Sequence, residues 1–246
     1  PCCEGSIARS IEVYLRRIGG WMTRADHAAH RSECTEPPST TYRGVTVHAI
    51  GANTQGIATL QMLNMLETFD MAAGGFQTPQ SIHLQAEAKR LAYEDRARFY
   101  GDPDFSRIPT EWLVSKDYAA ERARLIRPDR INPNVAPGQA PSQGDTTYFS
   151  VADKDGMMVS MIQSNFRGMG SGLVPDRLGF MLHDRGQLFT LQDGHPSQYA
   201  PGKRPFQTII PGFATRDGRP WLSFGVMGGD MQPQGQAQVI VNRVDH

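Results

Sequence analysis

Cysteine is scarce: Cys2, Cys3 and Cys34 are the only three in 246 residues, too few for a disulfide framework. That scarcity points to a reducing setting and puts the cytoplasm ahead of the periplasm. Long apolar runs are absent as well, so no membrane segment is expected. Net charge is missing, because 25 Lys and Arg balance 25 Asp and Glu. A neutral chain has no global field to draw nucleic acid or an anionic membrane, so neither is expected as a partner. There is no internal repeat, no signal-peptide pattern and no initiating Met. The start at Pro1 reads as an interior piece of a longer protein.

What is present is length enough for one large or two small domains, with 39% hydrophobic residues to build a core. Ser6 to Ile18 has the apolar spacing of an amphipathic helix closed by Gly19-Gly20. Thr23 is placed to N-cap a second helix to His30, with Asp26 at the capping-box position. His27, His30 and Cys34 follow at helical spacing, which is compatible with zinc. A fourth ligand is not evident and Glu36-Pro37-Pro38 ends any helix, so a solvated helix end is the preferred reading and no metal is assigned. Tyr42 to Ile50 reads as a strand, and Gly51 to Gly56 as a turn into a helix carrying Leu60, Leu63, Leu66 and Phe69. That turn lacks the Lys-Ser/Thr ending of a phosphate loop, so close packing is the expected role. Thr78-Pro79 opens a helix to about Tyr100. Its expected buried stripe is Ile82, Ala86, Leu91 and Phe99, with Glu87 to Arg96 forming a solvated, ion-paired face. Trp112 to Ile126 reads as one more helix.

The chain then changes character. Residues 128–145 form a polar, Pro- and Gly-rich lead, read as a flexible linker. From Thr146 the sequence alternates as a strand, with Thr147, Phe149 and Val151 on one face and Thr146, Tyr148 and Ser150 on the other. Asp155-Gly156 makes a tight turn, and Met157 to Gln163 returns as a hairpin. An enzyme that exposes an internal threonine as a new N-terminus needs such a lead before a core strand. On these residues alone the plainer reading is preferred: two β-branched residues simply open a strand. Short strands are expected near Phe180-Met181-Leu182, Thr208 to Ala214 and Pro220 to Phe224, and a last helix near Gln234. Helices followed by short strands fit an α/β sandwich.

Four further segments can be laid beside Thr146. Ser160 to Gly172 runs from the returning strand into a glycine loop, and hairpin geometry could bring Ser164 back beside Thr146. Leu178 to Gly186 includes Asp184 and Arg185; Gly202 to Thr208 includes Gln207 and Thr208. In Gly225 to Asp230, the consecutive Gly228 and Gly229 could present backbone N–H groups to an anion.

In this order the segments resemble the γ-glutamyltransferase family of N-terminal-nucleophile hydrolases, over nearly the whole chain. Gly19-Gly20, Tyr42-Arg43-Gly44, Leu63 to Glu67, Glu87 to Arg96 and Tyr100-Gly101-Asp102 resemble the later half of the large subunit. Asp145-Thr146-Thr147 matches the processing site, and residues 146–246 resemble most of the small subunit. The resemblance implies a four-layer αββα fold, incomplete at both ends, in which 1–145 and 146–246 together make one domain. It implies self-cleavage before Thr146, whose freed α-amino group then serves as base for its own hydroxyl. Ser164 would support the nucleophile, and Gly228 and Gly229 would form the oxyanion hole. Asn165, Asp184, Arg185, Gln207 and Thr208 would contact substrate, a small amide such as glutathione or another γ-glutamyl compound. The other partner implied is the chain's own second subunit; no cofactor is implied.

The match departs from the best-known members near the substrate. Their asparagine two residues past the hydroxyl falls at Phe166, with Asn165 one residue earlier. Their acidic residue that holds the donor's α-amino group falls at Leu188, which cannot make that contact. Their paired serines fall at Gln207 and Thr208, and the carboxylate-clamping arginine belongs to a segment outside this chain. This pattern looks like the divergent branch, which leaves open an amidohydrolase of the cephalosporin-acylase or oxamate type, or a non-catalytic binding relative. Missing strands would leave apolar faces uncovered, so the 246 residues alone are expected to fold poorly.

Overall fold

The computed structural model describes residues 4–133 and 145–246, with the Asp145 side chain excluded; most of the proposed linker lies outside them. Helix α1 (Ser6–Arg17) ends where Gly19 turns to positive φ, and α2 (Arg24–Ala29) opens with a complete capping box between Thr23 and Asp26. Two short strands follow, β1 (Ser39–Tyr42) and β2 (Val45–Ala49). Helix α3 (Gly56–Leu66) is buried at every one of its 11 positions. A mostly apolar helix buried on every face belongs at the centre of a core. It packs on β1 and β2 on one side and on later helices on the other. Gly56 lets it begin there, because a Cβ would collide with the Ile50 carbonyl and the Ala49 side chain. The short α4 (Met71–Gly74) leads to α5 (Pro79–Phe99), which Thr78 caps by accepting from the Ser81 N–H. Helices α6 (Thr110–Leu113) and α7 (Lys116–Ala123) complete this part.

Further along the chain come β3 (Asp145–Ala152) and β4 (Met158–Phe166), paired antiparallel as a separate two-stranded sheet. Strands β5 (Gly212–Arg216) and β6 (Arg219–Phe224) join the first hairpin in a four-stranded antiparallel sheet, ordered β1-β2-β5-β6. The β2–β5 pairing, with Val47 opposite Ala214, therefore ties sequence before residue 145 to sequence after it. Helix α8 (Gln232–Asp245) packs back on α3. The β3–β4 hairpin lies against β5 and β6: the Ser160 hydroxyl donates to the Gly212 carbonyl at 2.8 Å, and the Tyr148 ring occupies the space a side chain on Gly225 would need. Its other face carries Phe149, Val151, Val159 and Met161, each 41% exposed or more. The result is an α/β arrangement of helices, a four-stranded sheet and a second sheet.

Several sequence expectations are corrected. Tyr42 to Ile50 is not one strand, because Arg43-Gly44 turns at positive φ and makes the hairpin β1–β2. The segment from Trp112 to Ile126 breaks at Val114-Ser115, where Ser115 caps α7. Phe180-Met181-Leu182 forms no strand, and the strand expected from Thr208 begins only at Gly212. On α5, Ile82 is 52% exposed while Glu87 and Asp95 are buried, so the supposed solvated face turns inward there. Both acids are paired, Glu87 with Arg90 and Asp95 with Arg122, which is how charge is tolerated inside. His27 and Cys34 share no helical face, since α2 ends at Ala29 and Cys34 lies beyond it, exposed. Among the described residues no His, Cys, Asp and Glu group is arranged to hold a metal.

Candidate active site

Thr146 is 4% exposed, and its hydroxyl has no hydrogen-bond partner among the described residues. The reason for its position is a bulge. Asp145 pairs with Phe166 and Thr147 with Gln163, so Thr146 alone stands opposite both Ser164 and Asn165. A bulge re-aims side chains at a strand end. The extra residue lies within Ser164-Asn165, and the next residue, Phe166, has a φ of 82°, unusual for a bulky side chain. The Ser164 hydroxyl accepts from the Phe166 N–H at 2.8 Å, which holds it in place across from Thr146. A cavity of about 420 Å³ opens here, lined by Thr146, Thr147, Gln163, Ser164, Asn165, Gly168, Phe180 and Met181. A buried hydroxyl free of competing bonds at the wall of such a cavity is chemically available as a nucleophile.

A second group of residues gathers behind the hairpin. Gly228 and Gly229 have φ of 112° and 57°, left-handed values that suit glycine. Their N–H groups donate no hydrogen bond to another described residue. Gln55, fully buried at the start of α3, donates through Nε2 to the carbonyls of Gly229 at 2.9 Å and Thr208 at 2.7 Å. Its Oε1 accepts from Arg96 Nη1 at 2.6 Å, and Arg96 also pairs with Asp230 at 2.8 Å. The Tyr93 hydroxyl donates to the Asp230 carbonyl. Residues from α3 and α5 thus clamp the glycine turn from behind.

Thr208, 1% exposed, accepts from Arg185 Nη1 at 3.3 Å. Arg185 is itself buried, opening a 3-10 turn (Arg185–Leu188), with its guanidinium over the Phe166 ring at 5.4 Å. Burial pushes that guanidinium down from its ordinary pKa, and Asp184 offsets this in part. The Asp184 carboxylate accepts from the Arg167 N–H and from Gln187 Nε2, while its N–H donates to the Asn165 carbonyl. Gln207 is held by its backbone, donating to the Asn53 carbonyl.

The structure therefore brings Thr146, Ser164 and Asn165 into one cavity wall. It links Arg185, Thr208 and Gly229 into a second cluster that meets the first at Phe166 and Asn165. Gln207, Thr208, Asp184, Arg185, Gly228 and Gly229 do not line that cavity. Sequence reasoning missed Gln55 and Arg96. A glutamine heading a largely apolar helix was a usable signal for the first; Arg96 sits among other charges and offered none.

The gamma-glutamyltranspeptidase family pattern matches residues 3–246. The chain is 35% identical to the glutathione hydrolase-like YwrD proenzyme of Bacillus subtilis, covering 99% of this chain and 46% of that protein. It is 33% identical to the glutathione hydrolase proenzyme of Escherichia coli, covering 99% of this chain and 44% of that one. The solved cephalosporin acylase from Bacillus halodurans superposes with a TM-score of 0.86 at 37% identity, over 99% of this chain and 44% of that structure. The chain spans less than half the length of the relatives it matches. These relatives are named as glutathione hydrolases and an acylase, two of them proenzymes, and by the extent of the match the chain belongs to the gamma-glutamyltranspeptidase family.

Proposed function

We propose that this chain carries the nucleophile of an autoprocessing enzyme that cleaves amide bonds, by hydrolysis or by transfer to an amine. The observation that carries it is the Thr146 hydroxyl, buried and unpartnered opposite Ser164 at the cavity wall. In the intact chain that oxygen attacks the Asp145 carbonyl carbon. The Asp145–Thr146 C–N bond breaks, leaving an ester and a free α-amino group. Water cleaves the ester, restoring the hydroxyl and giving Asp145 a carboxylate. The α-amino group, with an ordinary pKa of about 7.7–8.0, takes the hydroxyl proton as Thr146 attacks a substrate amide. It returns the proton to the leaving amine, and water or an acceptor amine releases the acyl group. Ser164 orients the nucleophile, and the Gly228 and Gly229 N–H groups receive the oxyanion. Loss of one such donor costs about 2.7–4 kcal/mol in the barrier.

Cleavage leaves two pieces, 1–145 and 146–246, that remain one domain through the β2–β5 ladder, the α3–α8 packing and the Asp102–Arg204 ion pair. The exposed apolar face of β3–β4 is where the fourth layer of an αββα sandwich belongs. The substrate contacts fall to Asn165, Asp184, Arg185, Gln207 and Thr208. An acylase reading is kept beside the γ-glutamyl one because Leu188 stands where an ammonium would need an acid.

Intact mass and N-terminal sequencing of the full-length protein test this directly. A wild-type chain that splits before Thr146, beside an uncut Thr146→Ala variant, is expected. Two uncut chains under folding conditions would refute it and leave the non-catalytic relative as the reading.

A further inference from the structure

The acid that follows the glycine turn sets an electrostatic conflict. Asp230 comes directly after Gly228-Gly229, so a carboxylate belongs to the residue next to the backbone N–H groups proposed to receive an oxyanion. A negative charge there opposes the charge that develops when an amide carbonyl is attacked. Burial sharpens the conflict, because the Asp230 side chain is only 15% exposed and water screens it poorly.

Arg96 meets that carboxylate from α5. Its Nη1 lies 2.8 Å from Asp230 Oδ1, and its side chain is 10% exposed. The guanidinium lies over two aromatic rings, 4.3 Å from the Tyr93 centroid and 5.3 Å from that of Phe206. Such contacts favour a cation in that place. The same Nη1 donates to Gln55 Oε1 at 2.6 Å, and the Tyr93 hydroxyl donates to the Asp230 carbonyl. Lys89 also lies over the Tyr93 ring, at 5.0 Å, yet among the described residues Asp230 makes its ion pair with Arg96. One guanidinium thus neutralises the acid and orders the glutamine that holds the turn.

We propose that Arg96 is a positioning residue of the reaction, whose charge cancels that of Asp230 beside the oxyanion. The sign of the charge then matters as well as the bonds. An Arg96 variant without charge leaves a lone carboxylate next to the developing anion, and deleting that carboxylate as well relieves the repulsion. A purely mechanical clamp behaves the other way, since a second deletion adds damage. This rests on Thr146 as the nucleophile and on Gly228 and Gly229 as the oxyanion donors.

The test uses the full-length protein and two probes, γ-L-glutamyl-p-nitroanilide and glutaryl-p-nitroanilide, with activity scored per molecule of chain cut before Thr146. Arg96→Lys keeps the charge without the fork; Arg96→Gln keeps an amide donor without the charge. Arg96→Gln is expected to lower kcat by about thirtyfold or more and KM to change less than about threefold, with Arg96→Lys well above it. Adding Asp230→Asn to Arg96→Gln should raise kcat about tenfold, and adding it to Arg96→Lys should not. If Arg96→Gln does not fold or is not cut, Arg96→Met with and without Asp230→Asn supplies the same comparison. A double variant no faster than Arg96→Gln overturns the proposal, as does Arg96→Lys no better than Arg96→Gln. Variants that melt lower but keep kcat mark a structural role and overturn it too. A wild type that is uncut, or turns over neither probe, refutes the amide-cleaving reading itself, and the inference falls with it.

Discussion

Gln55→Leu is the most informative perturbation of the clamp behind the glycine turn. The substitution keeps the volume and removes both Nε2 bonds, to Thr208 at 2.7 Å and Gly229 at 2.9 Å. It also strips Arg96 of the acceptor at 2.6 Å, leaving that cation with Asp230. Gln55, Thr208 and Gly229 are all buried, so the two carbonyls have no water to turn to. The Gly229 carbonyl keeps the Gln232 N–H, so the Thr208 carbonyl alone is left bare, and one unsatisfied buried acceptor costs about 1–3 kcal/mol in stability. If the turn shifts, the proposed oxyanion donors shift with it, and the barrier rises by up to about 2.7–4 kcal/mol, some 10²–10³-fold in kcat. Gln55→Glu is the sharper companion: it keeps the acceptor for Arg96 and sets a carboxylate against two carbonyl oxygens. Amide hydrolysis and thermal unfolding of the full-length protein are measured together. The expected result is a large fall in kcat with little change in KM for both variants. A variant that melts lower yet keeps its kcat would show that the turn is positioned by something other than Gln55.

Two other perturbations test how the layers are held. Burial would push the Asp102 carboxyl up, but Arg204 side-chain and backbone hydrogen bonds outweigh it and hold its pKa below 3.8. A depressed carboxylate contributes stability above the unfolded value, and that contribution is lost as pH falls below about 4 through the folded value. Asp102→Asn should therefore lower the melting temperature at pH 6 and flatten its fall between about pH 4 and 2.5; an unchanged slope would remove Asp102 from the acid response. Gly225→Ala places a methyl group in the Tyr148 ring and should destabilise hairpin docking by about 1–3 kcal/mol. Processing should slow accordingly, and Tyr148→Ala in the same chain should restore it; no rescue would mean the damage lies elsewhere.

Elements with a local cause were legible in the sequence. The Thr23 capping box, Thr78-Pro79 and the alternation after Thr146 each announce themselves within a few residues, and the structure forms them where expected. The placement of Ser164 opposite Thr146 followed from hairpin geometry alone. What misled was context. Charge on α5 suggests solvent, but Glu87 and Asp95 are drawn inside by Arg90 and Arg122, the second of them on another helix. The chain near Phe180 has strand-like residues but finds no ladder to join. The clamp on the glycine turn joins positions 55, 96 and 230, and contacts so far apart leave no local pattern to read.

The β2–β5 ladder has a consequence for timing. A turn supplied by residues 228–229 is held by Gln55, and the sheet that supports it is sewn from strands on either side of residue 145. On the proposed reading, Thr146 cannot meet the Gly228 and Gly229 N–H groups until both stretches have come together. If Thr146 severs its own peptide bond, the cut acts as a checkpoint: only a chain that has finished assembling can make it. An irreversible chemical step would then record a reversible physical one, and the ratio of cut to uncut chain in a cell would count the molecules that folded.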